Sequence, residues 1–292
     1  MGAKQKAALQ RFAATIRVET IKEFKKRGFG HVGGAMSVVD LLAVLYGGVM
    51  RIDPKDPGWE GRDRLVMSKG HAGPALYATL ALKGYFPLDW LGTLNIPGTR
   101  LPSHCDRNLT PGIDMTTGSL GQGYSMAVGM ALGFKSDGRR NHVYAVIGDG
   151  ECDEGQVWEA TLFAAHNKLD NLTLFVDANK KQLDGYTDDI IRLGDIAAKF
   201  REFGWHALAA PGHDVEALAA AVDEALGAKG APTCVVMDTV KGAGFKEAEQ
   251  MFANHHITVS PEQADRALAD QQAILDALDA LDALDERGAF GI

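Results

Sequence analysis

Residues 143–181 read VYAVIGDGECDEGQVWEATLFAAHNKLDNLTLFVDANKK. The stretch holds two short apolar runs, 143–147 and 172–176, each followed by glycine or aspartate. Runs of this length bounded by turn formers read as buried strands, and the amphipathic segment 156–167 between them reads as a helix. Strand, helix and strand in that order make a parallel pair with a crossover. This unit decides the fold class: α/β, a parallel sheet with helices on both faces.

Working outward, the same alternation continues. Downstream, helical patterning over 190–203 and 215–226 separates expected strands at 205–209 and 234–238. Upstream, a helix over 7–26 places Leu9, Phe12, Ala13, Ile16, Thr20 and Phe24 on one face. A glycine-rich loop, GFGHVGG, follows it, and Ser37 is a good cap for a helix over 37–45. A short strand at 63–68 leads into a helix over 74–82. Residues 95–118 form a long loop rich in Pro, Gly and Thr, and long loops inside compact domains are often functional. A small-residue helix covers 121–133. No linker divides the chain, so 1–292 reads as one domain with 261–292 a helical tail. Three Ala-Leu-Asp repeats in that tail have a period of 3, which does not match a coiled-coil heptad. A surface or subunit-contact helix accounts for them, and a dedicated docking segment is the alternative.

Composition narrows the function. A net charge of −8 and the lack of a Lys/Arg block argue against nucleic acid as a partner. Three widely spaced cysteines, Cys105, Cys152 and Cys234, suggest neither a disulfide framework nor a zinc site, and a reducing, cytoplasmic setting is expected. The first residues lack the apolar core of a signal peptide. No apolar run is expected to approach the ~20 residues that span a membrane, so no membrane partner is expected.

The chemistry concentrates at strand ends, where ligands bind in open α/β sheets. Gly148-Asp149-Gly150-Glu151 closes the run 143–147 ahead of a helix. Asp149 offers a hard oxygen to a divalent cation, Gly150 allows close backbone approach to a phosphate, and the helix N-terminus suits an anion. Asn179 lies thirty residues further on, at the end of the next strand. A carboxylate, an amide oxygen, a backbone carbonyl, diphosphate oxygens and water complete the octahedron that magnesium prefers. Gly-Asp-Gly alone reads as a tight turn; the strand context and the second ligand favour the ion site.

Gly148-Asp149-Gly150 followed by Asn179 at this spacing resembles the thiamine diphosphate motif. The surrounding text resembles the transketolase family, from the opening helix to about Ile257. The resemblance implies a pyrophosphate-type thiamine diphosphate-binding fold. It also implies Mg2+, with Ca2+ or Mn2+ as substitutes, held by Asp149, Asn179 and the Lys181 carbonyl. It implies cofactor contacts from Gly118, Ser119, Leu120, Gly150, Glu151, Asn179, His71 and Lys241. Ala178 stands where many thiamine enzymes carry a first Asn, and Ser119 where many full-length members have Pro. Lys241 reads equally well as a plain loop cation.

Five of the nine histidines sit in glycine-rich or polar loops. A lone loop histidine is usually a surface group, but the contexts of His31, His71, His104 and His255 each resemble family segments that line the substrate channel. Imidazole moves protons near neutral pH and donates to developing alkoxides. The His255/His256 doublet leaves the register open by one residue. Glu154 resembles a family acid in a carboxylate network between two cofactor sites, and also reads as a first-turn carboxylate favoured by the helix dipole. His142, His166, His206 and His213 read as structural or surface residues.

The resemblance implies transfer of a two-carbon ketol group from a ketose, as its phosphate or a related sugar, to an aldose, as in pentose phosphate metabolism. The glutamate that activates the aminopyrimidine belongs, in the family, to a second domain that nothing in 1–292 resembles. A split enzyme is therefore expected, with a C-terminal partner subunit carrying the pyrimidine-binding domain and two such pairs forming a heterotetramer. The alternatives are a transketolase for a branched or sulfonated ketose, the α subunit of a 2-oxo acid dehydrogenase, and a non-catalytic thiamine-binding protein. The histidine loops speak against the last two.

Overall fold

The computed structural model describes residues 1–288, so 289–292 of the expected tail lie outside the described residues. The chain opens with α1 (Ala3–Arg27), β1 (Phe29–Gly30), α2 (Val32–Met36) and α3 (Val39–Val44). Next come β2 (Arg64–Met67), α4 (Gly73–Lys83), α5 (Gln122–Ser136), β3 (Val143–Gly148), α6 (Gly155–His166) and β4 (Leu172–Ala178). The second half runs through α7 (Thr187–Ile190), α8 (Ile196–Glu202), β5 (His206–Pro211), α9 (Val215–Gly227) and β6 (Thr233–Asp238). It finishes with α10 (Lys246–Gln250), β7 (Ile257–Thr258) and α11 (Pro261–Gly288).

Five strands form a parallel sheet in the order β2-β3-β4-β6-β5. Strand side chains alternate between faces, and both faces here are covered. Val143, Ala145 and Ile147 of β3 and Leu172, Leu174 and Val176 of β4 pack with Tyr124, Val157 and Phe200 from α5, α6 and α8. Tyr144, Val146, Phe175, Val235 and Met237 pack on the other side with Ile16, Leu41, Leu76 and Leu218 from α1, α3, α4 and α9. Burial on both faces is why these strands read as continuous apolar runs. The register brings their carboxyl ends level, with Met67 opposite Val146, Gly148 opposite Asp177, and Ala178 opposite Asp238.

Several elements differ from expectation. The helix expected over 37–45 appears as α3, two residues late, and a separate short helix, α2, forms inside the glycine-rich loop with Ser37 as its C-terminal cap residue. The helix expected over 190–203 breaks into α7 and α8, because Asp195 caps a new start by accepting from the Ala198 N–H at 2.8 Å. A two-stranded antiparallel ladder pairs β1 with β7, Gly30 lying opposite Ile257. Strands of two residues carry no periodicity, so nothing in the chain's patterning marks it. The apolar stretch Val32–Val49 comes close to spanning length at 18 residues, contrary to expectation, but 83% of it is buried inside the fold. It belongs to the core face of α2 and α3. The tail helix α11 lies against α1 and buries Ala264, Ala267, Gln271 and Leu278. Ion pairs from Lys25 to Asp265 and from Arg11 to Asp279 join the two helices.

The glycine pair after His31 has a packing purpose. The Gly33 N–H donates to the Asn254 carbonyl at 3.0 Å. A Cβ at Gly33 would lie 2.3 Å from that same oxygen, and one at Gly34 would lie 2.5 Å from His71 Cδ2. Only glycine lets the 254–256 segment and the His71 ring come this close to α2.

Candidate functional site

The ends of β2, β3, β4 and β6 place Lys69 to His71, Gly148 to Gly150, Asn179 to Lys181 and Thr239 to Lys241 along one edge of the sheet. Asp177, the residue opposite Gly148, is fully buried. Its carboxylate accepts from Ser37 Oγ at 2.7 Å, from Asn179 Nδ2 at 2.9 Å, and from Lys69 Nζ and Thr239 Oγ1. Burial pushes this carboxyl up, but the Lys69 charge and the hydrogen bonds outweigh it and hold it below the usual range.

Beside it, Asp149 is 4% exposed. Its carboxylate accepts from the Gly150 N–H at 2.9 Å and the Lys180 N–H at 2.5 Å. Burial, then the neighbouring Asp177 charge, pushes it up to about 6. Asn179 Oδ1 accepts from the Lys181 N–H at 3.1 Å, and the Lys181 carbonyl accepts from Lys241 Nζ at 2.7 Å. Burial, then Lys69, lowers Lys241 to about 8. Among the described residues no three His, Cys, Asp or Glu side chains gather as a metal cluster. Asp149, Asn179 and Lys181 do line one cavity together, bringing a carboxylate, an amide and a backbone carbonyl to the same lining.

A cavity of about 330 Å³ opens over these groups, lined by His71, His104, Gly118, Leu120, Asp149, Gly150, Glu151, Glu154, Asn179, Lys181, Lys241 and His255. His31 stands at its edge, with ring centroids 5.2 Å from His104, 5.9 Å from His71 and 5.4 Å from His255. The β1–β7 ladder is what brings His31 to the 255–256 doublet. His255 lines the cavity; His256 does not, but its ring lies 4.8 Å from that of His31 and 5.5 Å from Phe29. Burial is the main cause that lowers all four of these imidazoles. It takes His31 to about 4 and His255 to about 3, and holds His71 and His104 below the ordinary value. A neutral imidazole donates a hydrogen bond from one ring nitrogen and accepts one at the other.

Two expected contacts have a different setting. Ser119 is exposed and outside the cavity lining, its hydroxyl accepting from Gln122 Nε2 at 3.2 Å. Glu151 touches the cavity, but its carboxylate is committed to Ser68 Oγ, the Gly121 N–H at 2.8 Å and the Gly148 N–H at 3.1 Å. It thereby ties the start of α5 to the ends of β2 and β3. Sequence reasoning missed Lys69, Asp177 and Gln182. Lys69 and Asp177 adjoin quoted motifs, and a lysine and an aspartate at the ends of buried strands were the available signal. Gln182 lies over Gly150, where a Cβ would sit 2.8 Å from its own Cβ, and its buried Oε1 has no hydrogen-bond partner.

Residues 8–268 match the family model described as transketolase, thiamine diphosphate binding domain. The chain is 52% identical over 267 residues to a 6-deoxy-6-sulfo-D-fructose transketolase subunit of a Clostridium species, covering 91% of this chain and 97% of that one. It is 38% identical over 241 residues to a subunit of the apulose-4-phosphate transketolase of Actinobacillus succinogenes, covering 82% and 87%. Among solved structures it resembles the transketolase of Campylobacter jejuni, with TM-score 0.83 and 29% identity over 98% of this chain and 48% of that chain. The chain thus spans about half the length of such solved transketolases.

Two outcomes follow from the charges. Asp177→Asn leaves Lys69 buried without its counter-charge, an uncompensated state that costs about 3–5 kcal/mol, to be read by urea unfolding at pH 7. The imidazoles set a pH slope. Their unfolded value is 6.5 and the folded values of His31 and His255 are about 4 and about 3, so the unfolded chain binds more protons between those limits. Stability is complete above about 6.5 and falls as the pH drops toward the folded values. Asp149 acts in the opposite sense, its folded value being raised. Unfolding midpoints should therefore fall from pH 7 to 4.5, and His255→Asn should flatten that fall; parallel slopes would contradict this assignment.

Proposed function

We propose a two-chain enzyme, starting from membership: the chain belongs to the transketolase family, in its thiamine diphosphate-binding domain. The reading is that of the N-terminal subunit of a split transketolase that moves a two-carbon ketol group from a ketose to an aldose. One observation carries it. A hard-oxygen set and a ring of neutral imidazoles share a single cavity at the carboxyl ends of adjacent strands. The first arrangement suits a divalent cation with a diphosphate; the second suits a polyhydroxylated substrate.

The residues present fit that cofactor. Asp149, Asn179 and the Lys181 carbonyl would hold Mg2+, which favours few protein oxygens together with phosphate oxygens. Gln182 covers Gly150 so closely that only glycine fits beneath it, and its orphaned Oε1 is an unfilled acceptor in the cavity lining. Lys69 and Lys241, both buried, supply positive charge beside the diphosphate position. Gly118 and Leu120 would flank the aminopyrimidine. When bound, thiamine diphosphate supplies carbanion stabilisation. This chain contributes orientation, exclusion of water, and proton exchange at the sugar hydroxyls through His31, His71, His104 and His255. Glu154, exposed at the cavity edge, would face the carboxylate network shared with a second cofactor site.

A partner chain with the pyrimidine-binding domain, in a heterotetramer of two pairs, completes the proposal. Relatives of matching length are named as subunits, which supports it. A cytoplasmic setting agrees with three free, buried cysteines. For the donor, a sulfonated ketose is favoured over a pentose phosphate by the 52% identity to a sulfofructose transketolase subunit.

Two experiments test this. Asp149→Ala should abolish Mg2+-dependent thiamine diphosphate binding; unchanged binding would discredit the metal site. In a turnover assay, the purified chain with cofactor, Mg2+, ketose and aldose should be inert until the partner is added, and robust activity alone would sink the two-chain reading. In the same assay with the partner present, 6-deoxy-6-sulfofructose should exceed fructose 6-phosphate in kcat/KM; the reverse order returns the donor to ordinary sugar phosphates.

A further inference from the structure

The fifth strand end, that of β5, leads into Gly212 and His213 and lies outside the cavity lining. His213 Nε2 accepts from the Val240 backbone N–H at 2.8 Å. That contact fixes the tautomer, so Nδ1 carries the proton and donates to Asp40 Oδ2 at 2.9 Å. Asp40 is buried and also receives both terminal nitrogens of Arg17, at 3.1 and 2.5 Å. Burial alone would raise this carboxyl, but the Arg17 charge and the His213 bond hold it low. Arg17 Nε in turn donates to the Ala243 carbonyl at 3.3 Å. One connected network thus grips the 240–243 segment at both ends. Lys241 lies between them, its ammonium on the Lys181 carbonyl. Little slack is available, since a Cβ at Gly212 would lie 2.2 Å from Thr239 Cγ2 and 3.0 Å from the Asp238 carbonyl.

We propose that His213 is a positioning residue for the cofactor site: held by Asp40 and Arg17, it anchors Val240 and so aims Lys241 at the metal-ligand carbonyl. The bland alternative is a satisfied histidine that joins two loops. The two differ in where a mutation is felt. The last link, from Lys241 to the cofactor, rests on the function proposed above; the anchoring itself does not.

The test compares His213→Ala with His213→Gln in the full chain. Gln keeps an acceptor for Val240 and a donor for Asp40. Amide exchange over residues 239–244 is measured without cofactor, and thiamine diphosphate affinity is measured by calorimetry with Mg2+. Ala should speed exchange at 240–242 by about tenfold and weaken the cofactor by roughly 10–100-fold, the usual loss when a partner behind a metal site is removed. Gln should restore both. Unchanged exchange at Val240 in the Ala variant overturns the proposal. So does loss spread evenly across the sheet, or loss that Gln fails to rescue. A native chain that binds no thiamine diphosphate overturns the cofactor reading instead, and the exchange data still decide the anchoring.

Discussion

Asp177 is the constraint on which the site depends. An ionised carboxylate only accepts hydrogen bonds, so every group that meets it must present a donor. Lys69, Ser37, Thr239 and Asn179 do so from the end of β2, the α2–α3 junction, the end of β6 and the turn after β4. The rule also settles the amide of Asn179: its nitrogen must face Asp177, which turns Oδ1 the other way, toward the segment that holds Lys181. A buried charge with four donors costs less than the same charge with one missing. The four elements are therefore locked to one another by the residue that orients the Asn179 side chain.

The sheet and much of the site were legible in the sequence for a common reason. Runs such as 172–176 are buried on both faces, so apolarity and length alone betray them. Strand ends then indicate where polar residues converge, which located Asp149 and Asn179. What escaped has equally physical reasons. The Lys69–Asp177 pair is 108 residues apart in sequence, and nothing local marks either as paired. The two-residue β1–β7 ladder has no pattern to detect. The break between α7 and α8 is set by Gly194, in the left-handed region, and the capping Asp195 that follows it, a short signal inside an otherwise helical pattern. Family resemblance singled out the histidines, but only the fold shows that His255 lines the cavity while His256 packs between His31 and Phe29.

The division of labour within the cavity follows from burial. Where charge is paired, as at Asp177, ionisation persists; where it is not, as for the imidazoles, burial keeps the groups neutral. A single low-dielectric cleft thus offers a fixed cationic and oxygen-rich floor from Lys69, Lys241 and Asp149, beneath a rim of uncharged imidazole rings. Glu151 and Ser68 join that floor to the start of α5 without exposing charge of their own to the rim.

The pairing of Gly30 with Ile257 also has a consequence in time. It joins positions 227 residues apart, and loop-closure entropy makes such contacts slow to form. A chain emerging from the ribosome can close the β2–β3–β4 core long before residue 257 exists. The histidine ring, in contrast, cannot assemble until nearly the whole domain has been synthesised, so its completion marks the arrival of the finished fold rather than any early folding event.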